Sequence, residues 1–178
     1  MTTSSGAVRH LRPPCATPVA SAVGLLLWCW AVVGQAATDP LEGHVGVWRT
    51  EPRPAYADTF HFELAITPQG PGYALVWTQR FASHPPRQIR QATVRPNADG
   101  HWLYTAESPI GRTRAGTVQQ TNGQLVFEYR EHDPSGRTAR IRETFLRRGA
   151  QLVSERMIWR AGGWHPLTVT DWTLSARP

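Results

Sequence analysis

The sequence predicts an all-β protein: one antiparallel up-and-down β-barrel of about eight to ten strands, behind an N-terminal export leader. Three observations carry that prediction. Turn signals recur with glycines at 111, 123, 136, 149 and 162, spaced 12, 13, 13 and 13 residues apart. The runs between them are rich in β-branched and aromatic residues, as in Gln124-Leu-Val-Phe-Glu-Tyr-Arg130, which is the pattern of consecutive hairpins. From Glu42 onward nothing reads as a long amphipathic helix.

Taken in order, the chain begins with residues 1–37, which read as a secretory signal peptide. Arg9 and Arg12 supply its positive start, and Val19 to Val33 forms a 15-residue apolar stretch. Gly34-Gln35-Ala36 then offers small residues for cleavage. An apolar stretch of that length falls short of the roughly 20 residues that cross a bilayer. Cys29 follows Leu27-Trp28 rather than small residues, which argues against lipoprotein processing. Residues 38–178 are therefore expected as one periplasmic or secreted domain with no transmembrane span.

Both cysteines, Cys15 and Cys29, fall in the leader. The remainder has neither disulfides nor thiolate chemistry to draw on, so its core alone must hold it. Without the leader, 17 arginines face 13 acidic residues, a net of +4, and there is no lysine anywhere.

Ten strands are expected, at 44–50, 58–66, 73–81, 88–95, 101–107, 112–120, 124–131, 138–146, 151–160 and 164–175. Asn97-Ala98-Asp99-Gly100 parts the fourth strand from the fifth. Pro109-Ile110-Gly111, Asn122-Gly123, Pro134-Ser135-Gly136, Arg148-Gly149 and Gly162-Gly163 part the later ones. An open sheet of this size has to curl, and closure removes its exposed edges. The rival β-sandwich needs longer crossings than these short turns allow.

Register follows from requiring apolar residues on paired strands to share a face. A three-residue Pro134-Ser135-Gly136 loop sets Leu125 against Phe145 and Tyr129 against Ile141. Pro109-Ile110-Gly111 sets Trp102 against Val118 and Tyr104 against Gly116. The two-residue Asn122-Gly123 turn sets Val118 against Phe127 and Gly116 against Tyr129. With Arg148-Gly149-Ala150 as the next loop, Phe145 meets Val153 and Ile141 meets Met157. Glu143 then lies opposite Glu155 on the inward face, and two carboxylates sharing a poorly hydrated site should raise one pKa. Outside, Arg130, Arg140, Arg142 and Arg156 are expected around Glu128.

Gly46-Val47-Trp48 opens the first strand, and resembles the Gly-x-Trp start of the lipocalins and the wider calycin group of ligand-binding barrels. The stretch from Arg140, with its Gly162-Gly163-Trp164 turn and terminal Arg177, is similar to the end of uncharacterised exported bacterial calycin-like domains. The resemblance implies that Trp48 packs at the closed barrel end under Arg177, a cation–π pair. It departs from the haem-binding barrels in having Arg49-Thr50-Glu51-Pro52 where they carry a glycine-rich run. It departs from the classical lipocalins in lacking a helix before the last strand.

The candidate ligand-binding residues are Tyr104, Phe127, Tyr129, Glu143, Glu155 and Arg114. Tyr104, Phe127 and Tyr129 line the interior, with Trp102 and Trp159 as strand core. The two glutamates anchor the polar part of a ligand, or pair with Arg114 or another interior arginine. No cofactor is expected. The histidines 44, 61, 84, 101, 132 and 165 have no close metal-ligand spacing, and His165 alone sits near a haem-binding strand equivalent. Nucleophile-elbow, phosphate-loop and dinucleotide motifs are missing. The sequence therefore points to an exported barrel that holds a small hydrophobic or amphipathic molecule without catalysis. The alternatives are an envelope or protein interaction module using Arg130, Arg140, Arg142 and Arg156 towards an anionic surface, and an enzyme using Glu143 with Glu155. Export argues against nucleic acid as a partner.

Overall fold

Hairpin follows hairpin along the chain, as the turn spacing requires. The computed structural model describes residues 39–55 and 58–177, so the leader expected at 1–37 lies outside the described residues. The strands are β1 (Gly46–Arg49), β2 (Arg53–Ala55), β3 (Asp58–Gln69), β4 (Gly72–Phe81), β5 (Arg87–Pro96) and β6 (Trp102–Glu107). They continue as β7 (Thr113–Thr121), β8 (Gln124–His132), β9 (Thr138–Arg148), β10 (Gln151–Arg160) and β11 (Gly163–Ala176). From β3 to β11 each strand pairs antiparallel with the next, and β1 pairs with both β11 and β3. The result is a closed, ten-stranded up-and-down barrel. Among the described residues no helix is long and apolar enough to cross a membrane.

The eleventh strand, β2, was not expected. Among the described residues it pairs only with β3, on the edge that β1 occupies further along that strand. Pro52 and Pro54 remove backbone donors there, which limits this segment to an edge and hides it from a strand pattern.

Three of the four predicted registers hold. Leu125 faces Phe145 and Tyr129 faces Ile141; Trp102 faces Val118 and Tyr104 faces Gly116; Val118 faces Phe127 and Gly116 faces Tyr129. Asn122 and Gly123 have φ of 51° and 75°, the left-handed pair of a type I′ turn. The β9–β10 connection differs. Arg148 pairs directly with Gln151, so the loop has two residues, and Gly149 takes φ 62° at its first position. Ser154 therefore meets Phe145, Arg156 meets Glu143 and Ile158 meets Ile141.

That one-residue difference exchanges the faces of β10. Glu155 lies opposite Thr144 and leaves the interior, so the expected Glu143–Glu155 pair does not form. Arg156 turns inward, away from the outer arginine group. Trp159, expected in the core, is 40% exposed while Ile158 packs against the core.

One barrel end is closed by the segment 39–48. A single 3-10 turn, Glu42–His44, precedes β1 and brings fully buried Leu41 against the core. Trp48 is fully buried, and its indole Nε1 donates to the His44 carbonyl at 2.8 Å. The Tyr73 hydroxyl donates to Asp39 at 2.5 Å across the same end. The cation over Trp48 is Arg147 of β9, at 5.5 Å, rather than Arg177, which is exposed. A strand residue facing inward needs no chain terminus to reach the indole.

Candidate functional site

Inward-facing positions of β5 to β10 build a polar group above the apolar core, on the side of the turns at 108–112, 133–137 and 161–162. Period-2 alternation sets each member. Arg90 shares its face with Ala92 and Val94 on β5, and Arg114 shares its face with Gly116 and Val118 on β7. Glu131 continues the row Leu125, Phe127, Tyr129 on β8. Glu143 lies between Ile141 and Phe145 on β9.

Two carboxylates organise the group. Glu143, 8% exposed, receives both Nη atoms of Arg90 at 3.1 and 3.3 Å, and the Tyr129 hydroxyl at 3.1 Å. The Arg90 guanidinium lies 3.3 Å from the centre of the Trp77 ring, so ring and carboxylate share one buried cation. Glu131 receives Arg114 Nε at 2.7 Å and Arg156 Nη2 at 2.8 Å, with Arg112 at 3.5 Å. Among the described residues, Arg114 Nη1, Arg156 Nε and the Tyr104 hydroxyl are buried without a hydrogen-bond partner. Unmet buried donors carry a desolvation cost of about 1–3 kcal/mol each, so they mark where a further acceptor is wanted.

The electrostatics follow from these contacts. Burial pushes the Glu143 carboxyl up, but Arg90 overrides it, helped by Arg156 and the Tyr129 hydroxyl, and holds the pKa below the usual range. The raised carboxylate pKa expected from two neighbouring glutamates is thus replaced by a lowered one. Burial and then the Glu143 charge raise the Tyr129 hydroxyl well above the ordinary tyrosine value. Burial likewise raises Tyr104. Glu143 is thereby a fixed anion and Tyr129 a fixed donor at neutral pH.

Of the sequence-derived candidates, Tyr104, Phe127, Tyr129, Glu143 and Arg114 all face the interior. Tyr104 packs on Phe127 at 5.2 Å and on Tyr129 at 5.1 Å between ring centroids, and Phe127 packs on Phe145 at 5.5 Å. These three rings are at most 3% exposed, so the barrel is filled at their level. Arg90, Trp77, Glu131 and Arg156 complete the polar group and were not among the candidates. Arg90 shares the parity of Val94, and Glu131 that of Tyr129, a signal the alternation carried. Arg156 was hidden by the β9–β10 turn.

The open end carries a recess of about 660 Å³ lined by Arg112, Arg130, Arg137, Arg140 and Arg160, with Glu131, Ala139, Ile158 and Trp159 among its other walls. On the adjoining outer face Glu128 receives both Arg142 and Arg140. Those two guanidiniums lie over Trp164 at 4.5 and 5.2 Å, and Arg140 also lies over Trp159 at 5.4 Å. His165, exposed, approaches the Arg160 carbonyl. Ser83 and Asp58 both approach the same ring nitrogen of His84, Nδ1, at 2.9 and 3.0 Å. A nucleophile relay needs opposite ring nitrogens, so this cluster serves to tie the loop.

Fold and site together define a closed antiparallel barrel with a filled, charge-paired interior and an arginine-lined mouth. No protein-family model matches the sequence, and no curated protein matches it. Among solved structures, the crystal structure of Rv2717c from M. tuberculosis aligns with 16% identity and a TM-score of 0.48, covering 78% of this chain and 99% of that one.

Proposed function

We propose that this chain is an exported, calycin-like binding barrel that takes a small amphipathic molecule at its open end without catalysis. One observation carries the reading. A recess of small-molecule size, about 660 Å³, has the Glu131 carboxylate in its wall, and the two arginines that share Glu131 from the interior, Arg114 and Arg156, keep Nη1 and Nε without acceptors among the described residues. Binding sites combine such concavity, apolar walls and a few convergent polar groups. Tyr104, Phe127 and Tyr129 pack on one another deeper in the interior, where Glu143 is held by Arg90 and Tyr129. Catalysis by paired glutamates has no support, because Glu155 faces outward and Glu143 is committed to Arg90.

Native mass spectrometry of the chain beginning near Ala37, isolated gently from the exported fraction, tests this reading. The expected result is a stoichiometric extra mass that is lost on denaturation. A clean protein mass, together with no thermal shift on adding single-chain amphiphiles, overturns it.

A further inference from the structure

The recess at the open end has more cations than its own anions can satisfy. Five arginines line it, against the carboxylates of Glu131 and Asp133. Glu131 is already engaged by Arg112, Arg114 and Arg156. Asp133 is engaged by Arg137 at 2.8 Å, and Arg140 reaches out of the recess to Glu128 at 3.3 Å. Among the described residues, Arg130 and Arg160 have no carboxylate within ion-pair distance.

Register makes the excess sharper. Arg130 lies directly opposite Arg140 across the β8–β9 ladder, and like charges so placed destabilise a sheet. Glu128 already answers Arg140, so Arg130 is the member of the pair left without an anion among the described residues. Glu131 in the wall is shared on its interior side by Arg114 and Arg156, so its charge is already spent inward. Ala139, Ile158 and the 40%-exposed Trp159 supply an apolar side.

From these features we infer that the recess binds the phosphate of a phosphomonoester that carries an apolar chain, with Arg130 and Arg160 as its main cations. The inference rests on the amphiphile-binding reading above and specifies its ligand. Two unpaired arginines call for two negative charges, which a phosphomonoester supplies near neutral pH and a single carboxylate does not. Planar guanidinium forks match phosphate oxygens in pairs. The apolar chain lies against Trp159 and Ile158.

Calorimetric titration with octyl phosphate, inorganic phosphate and octyl glucoside, each below its micelle concentration, tests the inference. Octyl phosphate is expected to bind at least about tenfold more tightly than either of the others. Its affinity should weaken as salt is raised. The double variant Arg130→Gln/Arg160→Gln should lose about tenfold in octyl phosphate affinity while melting no lower than the parent, since neither arginine is ion-paired among the described residues. Equal binding of octyl phosphate and octyl glucoside overturns the phosphate assignment and leaves the amphiphile reading standing. Inorganic phosphate binding as tightly as octyl phosphate makes this a free-phosphate site and overturns the apolar half. Binding of none of the three overturns both.

Discussion

Removing the charge of Glu143 leaves the Arg90 guanidinium buried against Trp77 with no counter-charge. Breaking a buried pair from one side typically costs about 3–5 kcal/mol, so Glu143→Gln is expected to lower the denaturation midpoint by that order. A double variant, Arg90→Met/Glu143→Leu, should recover much of the loss, because the stranded cation goes with it. Chemical denaturation of the single and double variants checks both. The carboxyl also sets a pH signature. Its folded pKa is held below the unfolded value of about 4.3, so its stabilisation is present above that value and disappears as pH falls through the folded one. The acid limb of Glu143→Gln should therefore be flatter than that of the parent, and an unchanged limb would exclude Glu143 as its source. Reading the sequence reached Glu143 but not its partner. Arg90 is 53 positions away, and strand parity says only that it points inward, not which carboxylate it meets.

Turn geometry decides which side chains enter the barrel, and the two-residue turns show how. Ala161 and Gly162 have φ of 47° and 79°, and Arg160 pairs with Gly163 across them. A left-handed conformation costs a residue with a Cβ roughly 1–2 kcal/mol, and asparagine suits it better than alanine. Ala161→Asn is thus expected to stabilise the protein by about 0.5–1 kcal/mol, read as a rise in melting temperature. A fall would place the strain elsewhere. The same geometry explains what was legible in strand order and what was not. Asn122-Gly123 fits one turn type, and the proline-led loops at 109 and 134 each fit their neighbours in one register only. Arg148-Gly149-Ala150 admits either two or three residues, and apolar matching alone favoured the longer loop because it paired Phe145 with Val153 and Ile141 with Met157. The protein instead turns Ser154 and Arg156 inward. Ser154 accepts the Trp172 indole N–H at 2.9 Å, and Arg156 reaches Glu131, so polar partners on other strands outweighed the apolar match. Those contacts join residues far apart in the chain, which periodicity does not register.

The whole barrel is asymmetric along its axis, with an end sealed by tryptophan, leucine and histidine and an opposite end rimmed with arginine. Acid should act on the sealed end first. Burial, and then the nearby Arg147 charge, lower the His44 pKa, with the Pro40 carbonyl drawing it partly back. A histidine depressed in the folded state stabilises the protein above its unfolded pKa of about 6.5. That contribution is lost as pH falls towards the folded value. The carboxylates Glu63, Glu128 and Glu143 are also held low, against burial, by arginine partners, and their contributions fade only below about pH 4.3. Two steps are therefore expected in melting temperature against pH, one beginning below about 6.5 and one below about 4.3. His44→Leu keeps an apolar side chain beside Leu41 and Trp48 and removes the titrating ring. It should abolish the upper step and leave the lower one in place. A parent protein whose melting temperature is level between pH 7.5 and 5 would contradict this assignment, as would a His44→Leu variant that keeps the upper step. Because the mouth carries no histidine in its wall among the described residues, ligand binding there should be unaffected by the substitution, which separates the stability of the sealed end from the chemistry of the open one.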